Sequence, residues 1–103
     1  MIDISKINIV KEYKDELLSS GITVDKIIIF GSQAKGTANK WSDIDVCVVS
    51  PIFGHDRLSE RVRLAKIGHK VSHDIEPHPM NLSELNDKFN PLANEIRNYG
   101  VEV

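Results

Sequence analysis

Two short apolar segments in the first half of the chain constrain its fold more than any other feature. Lys26–Phe30 (KIIIF) and Asp43–Ser50 (DIDVCVVS) are rich in Ile and Val, and both are short for helices. Continuous runs of β-branched residues are typical of strands that are covered on both faces of a sheet. The sequence therefore predicts two buried strands, and other elements must cover them.

Segments with helical periodicity surround these strands. The further predicted elements are helices over 4–19 and 57–70, a third strand over 71–77 ended by Pro77 and Pro79, a short helix within 81–89, a last helix over 91–99, and a short strand or tail over 101–103. This order of elements predicts an α+β fold, in which helices flank a small mixed sheet. With 103 residues and no internal linker, the chain is expected to be a single domain.

Composition limits the classes of function. The net charge is −2, so the sequence predicts no basic surface for duplex nucleic acid. The N-terminus lacks the pattern of a signal peptide, and no apolar run approaches the roughly 20 residues that span a bilayer. Cys47 is the one cysteine, so an internal disulfide is impossible. We therefore expect a cytoplasmic protein that binds neither duplex nucleic acid nor a membrane.

A Gly-Ser pair follows the first strand. Gly31 allows a ligand to approach the backbone closely, and the amides of such a turn suit an anion such as phosphate. The Ser32 hydroxyl adds a donor, and Lys35 could add positive charge. The plain alternative is that Gly31 and Ser32 simply end a strand. A P-loop is excluded, because Thr37 stands where that motif requires lysine.

An Asp-Ile-Asp sequence opens the second strand. Alternation places Asp43 and Asp45 on one face of that strand, with Cα atoms roughly 6.5 Å apart. Two carboxylates this close repel each other, and a divalent cation such as Mg²⁺ relieves the repulsion. The alternative is a solvated acidic turn that feeds a strand. Cys47 shares the same face and is expected to be a small core residue.

The combined pattern resembles the DNA polymerase β-like nucleotidyltransferase superfamily, and most closely its small minimal nucleotidyltransferase branch. It consists of Gly31-Ser32, ten intervening residues, and then Asp43-Ile44-Asp45. The resemblance implies the polymerase β-like palm fold, with ATP as substrate. It also implies that Gly31 and Ser32 bind the triphosphate, helped by Lys35 and Ser42, while Asp43 and Asp45 ligate two Mg²⁺ ions.

The resemblance further implies a third carboxylate from a neighbouring strand. Asp74 and Glu76 share one face by alternation, and both are candidates. Glu76 is favoured as the third catalytic and metal-binding residue, because one family branch carries the same Glu-Pro-His sequence. Asp74 is the more usual residue type, so the choice stays open. His78 is expected near this carboxylate, and a zinc site is not expected.

For the activity, the resemblance implies transfer of AMP from ATP to a hydroxyl acceptor. Small members of the family often pair with a helical HEPN-type protein, so the implied role is an antitoxin that modifies a tyrosine of that toxin. The chain is short, so a partner chain or a homodimer would contribute to acceptor recognition. Two alternatives stay open. One is a nucleotide-binding module that neutralises a partner by contact without turnover, and the other is transfer to a small molecule such as an aminoglycoside.

Other conspicuous residues receive structural interpretations. Trp41, in the polar link before Asp43, is expected to pack against the domain, and the alternative is a platform on which a base stacks. Arg57, Arg61 and Arg63 are expected to form a solvated face of their helix. Neither prediction adds a residue to the candidate site.

Overall fold

The structure, a computed structural model, describes residues 2–103 and contains a four-stranded sheet flanked by helices. Its elements are α1 (Ile4–Ser19), β1 (Lys26–Phe30), α2 (Ser32–Lys35), β2 (Ile44–Val49), α3 (Arg57–Gly68), β3 (Ile75–Met80), α4 (Leu82–Leu85), α5 (Pro91–Tyr99) and β4 (Val101–Glu102). The strand order is β3-β2-β1-β4. β1 runs antiparallel to β2 and β4, whereas β2 and β3 are parallel. The predicted α+β class with a mixed sheet is confirmed.

α1 and α3 cover one face of the sheet, which we call the α1–α3 face. Every second strand residue points into it, and its buried contributors include Ile27, Ile29, Ile44, Val46, Val48, Val10, Tyr13, Leu17, Ile22 and Leu64. The Tyr13 hydroxyl is the polar group of this core, and it donates a hydrogen bond of 2.9 Å to the Leu64 carbonyl. This face is therefore a closed core in which the buried Tyr13 hydroxyl is satisfied.

α4 and α5 cover the opposite face, which we call the α4–α5 face. The alternate strand residues pack here against the two short helices, and the buried set is Ile28, Phe30, Cys47, Val49, Met80, Leu85, Ala93 and Ile96. This second core is smaller than the first. Asp45 and Glu76 occupy the same face at the end where β2 and β3 begin, so one end of this face is polar.

Polar side chains fix where the helices begin. Asp3 accepts from the Ser5 amide at the start of α1, and Asp56 accepts from the Ser59 amide at the start of α3. Asn81 and Glu84 form a reciprocal capping box at α4. Asn90 caps α5, and Pro91 takes its first position as predicted. Within residues 2–103, the structure contains no helix that combines the length and apolar character needed to cross a membrane.

The prediction for the third strand was wrong at both ends. β3 starts at Ile75 and continues through both prolines to Met80. The prolines are tolerated because β3 lies at the sheet edge. The carbonyls of Asp74 and Met80 accept hydrogen bonds from the amides of Ile44 and Ser50, so the backbone groups of even-numbered residues in this strand point towards β2. The backbone nitrogens of Pro77 and Pro79 therefore point to the open edge, where no hydrogen bond of the sheet is lost.

Smaller differences concern the ends of other elements. β2 begins at Ile44 and ends at Val49, so Asp43 and Ser50 lie just outside it. α3 ends at Gly68 rather than at residue 70, because the amides of Val71 and Ser72 both turn back to the Gly68 carbonyl. α2 is a single helical turn that periodicity does not predict, since four residues are too few to show a period.

Candidate active site

The Gly31–Ser32 turn lies where β1 passes into α2. Gly31 has φ of +70°, and it precedes the first residue of the helix. A Cβ atom at Gly31 would overlap the Asp45 Oδ2 atom and would lie 3.2 Å from Asp45 Cγ. Glycine is required here for two reasons, the backbone conformation and the close approach of the Asp45 carboxylate.

Strand register places Asp45 between the turn and Glu76. Asp45 pairs with Phe30 across the β1–β2 ladder and with Glu76 across the β2–β3 ladder. One ligand atom each from Asp45, Glu76 and His78 lies within 4.8 Å of the others. We call these three residues the site triad. Sequence-distant strands thus bring two carboxylates and an imidazole to the same end of the α4–α5 face.

His78 contributes a nitrogen that the rest of the site does not satisfy. Its Nε2 atom is buried and has no hydrogen-bond partner within residues 2–103. The nearest acidic atom is Asp45 Oδ1 at 3.6 Å, which is beyond ordinary hydrogen-bond distance. The Phe30 ring packs on the imidazole in a T-shaped arrangement, with the ring centroids 5.1 Å apart. The site therefore contains an oriented nitrogen in need of a partner.

Glu76 and Asp74 have different surroundings, although both were candidates for the third carboxylate. Glu76 lies beside Asp45, and the Arg61 guanidinium is 3.2 Å from its Oε1 atom. Asp74 is exposed in the turn before β3, and its backbone carbonyl accepts from the Ile44 amide. Of these two carboxylates, only that of Glu76 belongs to the site triad.

The remaining predicted residues lie outside the site triad. Asp43 is exposed just before β2, and its carbonyl accepts a bond of 3.4 Å from the buried Gln33 side chain. The Ser42 hydroxyl accepts from the Asn39 amide and so shapes the preceding loop. Asp43 is thus connected to α2 by its backbone, and its carboxylate is free of intramolecular hydrogen bonds within the described chain.

Lys35 connects α2 to α5. Its ammonium group forms an ion pair with Glu95 and lies 5.1 Å from the centroid of the Tyr99 ring. The hydrogen bond that the Lys35 ammonium donates to the Glu95 carboxylate raises the pKa of Lys35, so the side chain stays charged at neutral pH. In this arrangement the lysine fixes the helix that follows the Gly31–Ser32 turn.

The donor set of the site triad fits a divalent cation. Carboxylate oxygens are the ligands that Mg²⁺ and Mn²⁺ prefer, and two of them are adjacent here. The unsatisfied His78 nitrogen is a further sign that the site is built for an additional group. Close carboxylates also repel, and a cation between them removes that repulsion.

Comparison with known proteins identifies the family. The family model described as a nucleotidyltransferase domain matches residues 8–101. The chain belongs to the nucleotidyltransferase domain family. A Methanocaldococcus jannaschii protein named "Putative protein adenylyltransferase" is 32% identical over 101 residues, which cover 94% of this chain and 97% of the relative. The chain is thus a nucleotidyltransferase enzyme.

Solved structures agree on the fold. The crystal structure of a putative nucleotidyltransferase from Sulfolobus solfataricus superposes with a TM-score of 0.68 at 21% identity, over 96% of this chain and 79% of that one. A toxin–antitoxin structure with AMP-PNP gives a TM-score of 0.55 at 22% identity, over 88% of this chain and 69% of that one. At these identities the likeness establishes the nucleotidyltransferase fold.

Several residues around the nucleotidyltransferase site have roles that sequence reasoning missed. Arg57, Arg61 and Arg63 are exposed, as expected for a solvated helix face. Arg61 also pairs with Glu76, and Arg57 pairs with Glu84. Both contacts join distant parts of the sequence, so no local spacing reveals them. Trp41 was expected to pack, but its side chain is 81% exposed. Burial raises the pKa of the Cys47 thiol to about 12, in agreement with its predicted core position.

Proposed function

We propose that this nucleotidyltransferase transfers AMP from ATP to a hydroxyl group of a partner protein. The observation that carries the proposal is the convergence of the site triad beside the Gly31–Ser32 turn. The relative named a protein adenylyltransferase supports both the adenylyl group and the protein acceptor. In the reaction the acceptor oxygen bonds to the α-phosphorus of ATP, and pyrophosphate leaves.

Each part of the site has a task in this reaction. The Gly31–Ser32 turn binds the triphosphate, since glycine leaves its backbone accessible and Ser32 adds a hydroxyl donor. Asp45 and Glu76 would hold Mg²⁺, and Asp43 would reach the same ions from the loop before β2. The two bound ions would neutralise the triphosphate and acidify the acceptor hydroxyl. Arg61 limits the movement of Glu76 until the ions are in place.

The proposed acceptor is a tyrosine of a HEPN-type toxin, which would make this chain the antitoxin. The toxin–antitoxin structure with AMP-PNP supports this proposal, because it has the same fold and contains an ATP analogue. The sequence pattern supports it independently, through the resemblance to minimal nucleotidyltransferases that pair with HEPN proteins. A partner of this kind would supply the acceptor surface that a chain of 103 residues has little room to build.

The test is transfer of label from α-³²P-ATP to proteins of the source cell lysate, in the presence of Mg²⁺. We expect a labelled protein band with the unmodified chain and at least about 100-fold less label with Asp45→Asn or Glu76→Gln. Asp74→Asn is the matched control. It removes a carboxylate two residues from Glu76 that lies outside the triad, so labelling should stay within about threefold.

The outcomes separate the proposal from its alternatives. Label in a small molecule instead of a protein would favour an acceptor such as an aminoglycoside. ATP binding without any transferred label would favour a module that neutralises its partner by contact. Equal losses in Asp74→Asn and Glu76→Gln would contradict the assignment of the triad. Mass spectrometry of the labelled band identifies the modified residue and tests the tyrosine assignment.

A further inference from the structure

We propose that His78 is a nitrogen ligand of the metal in this site, and that it makes the site selective for Mn²⁺ over Mg²⁺. The inference rests on the proposed function, which places a divalent cation on Asp45 and Glu76. It concerns the identity of that cation and a residue outside the pattern formed by Gly31-Ser32 and Asp43-Ile44-Asp45.

The first support is the unsatisfied nitrogen of His78. Nε2 is buried and lacks any hydrogen-bond partner in the part of the chain that the structure describes. Leaving a buried polar group unpaired destabilises a protein, so most such groups in native proteins have a protein or solvent partner. Asp45 Oδ1 is the closest acidic atom, but at 3.6 Å it does not accept a hydrogen bond. A bound cation would satisfy this nitrogen and the Asp45 carboxylate together.

The second support is that the three donors are held in place before any ion binds. His78 lies in β3 opposite Cys47, and the Phe30 ring packs against its imidazole. Asp45 lies against Gly31, where only glycine leaves room for its carboxylate. Glu76 is oriented by Arg61. Donors that are already oriented lose little conformational entropy when the ion binds, which favours a specific metal site.

The third support is the chemistry of the donors. Mg²⁺ is a hard cation that takes oxygen ligands almost exclusively and gains little from imidazole. Mn²⁺ suits carboxylate and phosphate oxygens as Mg²⁺ does, but as a first-row transition ion it accepts an imidazole nitrogen more readily than Mg²⁺. Two carboxylates with one imidazole therefore favour Mn²⁺ over Mg²⁺. A site made of carboxylates alone would show no such preference from a nitrogen donor.

The chain contains four histidines, which provides internal controls. The His69 and His73 rings lie 5.2 Å apart, and neither belongs to the site triad. His55 lies in the loop before α3 and donates its backbone amide to Glu60. His73→Gln removes an imidazole that lies outside the triad and so matches His78→Gln chemically.

The test is pulsed electron paramagnetic resonance of the full chain loaded with one equivalent of Mn²⁺, without nucleotide. Directly bound imidazole gives a ¹⁴N coupling that carboxylate and water ligands cannot give. We expect this coupling in the unmodified chain and in His73→Gln, and its loss in His78→Gln. Mn²⁺ affinity should fall about tenfold in His78→Gln, whereas Mg²⁺ affinity should change by less than about threefold.

A second preparation makes the result independent of any substitution. Chain labelled with ¹⁵N only in histidine should show the coupling change from ¹⁴N to ¹⁵N. This change identifies the donor as a histidine even if His78→Gln folds poorly, and His78 is the histidine of the site triad. Absence of nitrogen coupling in Mn²⁺-loaded protein would overturn the inference, and so would a coupling that persists in folded His78→Gln.

The variant Asp45→Asn separates this inference from the proposed function. Suppose that the unmodified chain binds Mn²⁺ without nitrogen coupling and that Asp45→Asn does not bind Mn²⁺. The metal site is then correct, and only the role of His78 is wrong. If Mn²⁺ does not bind at all, the inference about His78 fails, whereas the α-³²P-ATP assay with Mg²⁺ still decides the proposed function.

Discussion

The two faces of the sheet are built from the same three long strands, yet they have opposite characters. On the α1–α3 face, alternate residues such as Ile44 and Val46 are fully buried under two long helices. On the α4–α5 face, Asp45 lies between those two residues in sequence and points to a half-covered polar region. A change of one position along β2 therefore moves from the closed core to the candidate active site.

This difference separates stability from chemistry in a small domain. The α1–α3 face removes most of the large aliphatic side chains from water, which supplies the main driving force for folding. The α4–α5 face can then keep two adjacent carboxylates and an unsatisfied nitrogen, arrangements that reduce stability when no ligand is bound. Substitutions on the two faces should accordingly affect different measurements.

The largest effect is expected for Gly31→Ala, which forces a Cβ atom against the Asp45 carboxylate. Displacing this carboxylate should lower adenylyl transfer at least about 100-fold, since misplacing a catalytic group by about 1 Å can have that effect. The left-handed backbone at Gly31 should add about 1–3 kcal/mol of destabilisation. Transfer assays and urea unfolding of the same preparation measure both quantities.

Gly36→Ala is the matched control for this prediction. Gly36 also has a positive φ, +75°, but a Cβ atom there meets no atom within 4 Å. The substitution should destabilise the protein by about 1–2 kcal/mol and leave transfer within about threefold. If both variants lost activity equally, the contact between Gly31 and Asp45 would not be the reason for glycine in the turn.

On the α1–α3 face, Leu64→Ala should lower stability and leave the rate of adenylyl transfer per folded molecule unchanged. Leu64 is fully buried against α1, so truncation should lower the free energy of unfolding by about 2–5 kcal/mol. Leu58→Ala, in the same helix but 75% exposed, should change it by less than about 0.5 kcal/mol. Urea midpoints give the comparison. A transfer rate per folded molecule that fell tenfold in Leu64→Ala would show that the faces are coupled.

The sequence predicts the parts of this molecule that local patterns encode. β1 and α1 have the predicted bounds because β-branched runs and helical spacing are local signals. The Gly31–Ser32 and Asp43–Asp45 pattern predicted a nucleotidyltransferase, and the match to the nucleotidyltransferase domain confirms this part of the prediction. The same pattern did not show that Gly31 contacts Asp45, because that approach depends on the register between β1 and β2.

Features that depend on sheet position were beyond local reasoning. Two prolines suggested the end of β3, but an edge strand tolerates them when their nitrogens face away from the neighbour. The pairing of Arg61 with Glu76 joins α3 to β3 across the strand edge, which no spacing predicts. The position of Glu76 beside Asp45 likewise depends on the β2–β3 register, which no local pattern predicts.

Alkaline pH should weaken both faces, through one buried acid on each. Burial raises the pKa of Cys47 from 9.0 to about 12, and it also raises the pKa of Tyr13 above its usual value of 10.0. The folded state therefore holds protons that the unfolded state releases, so stability falls as pH rises above about 9. Each group contributes up to about 1.4 kcal/mol per pH unit once its unfolded form ionises.

Urea midpoints between pH 7 and 10.5 test this dependence. Cys47→Ala should flatten the decrease that begins near pH 9, whereas Tyr13→Phe should flatten only the part above pH 10. Both variants are expected to be somewhat less stable at pH 7, since one loses packing and the other a hydrogen bond. A midpoint that stayed constant up to pH 10 in the unmodified chain would contradict the burial of the Cys47 thiol.

The smallest effect is expected for Trp41→Ala, although tryptophan is the largest side chain and this is the one tryptophan of the chain. Trp41 belongs to neither core, because its side chain is 81% exposed and its ring lies 4.8 Å from the Lys40 ammonium. The free energy of unfolding should therefore change by less than about 0.5 kcal/mol. Urea unfolding followed by circular dichroism, rather than by the lost fluorophore, gives the comparison. If the free energy of unfolding fell by more than about 2 kcal/mol, the loop before β2 would have to pack on one of the two faces. Trp41 would then belong to one of the two cores.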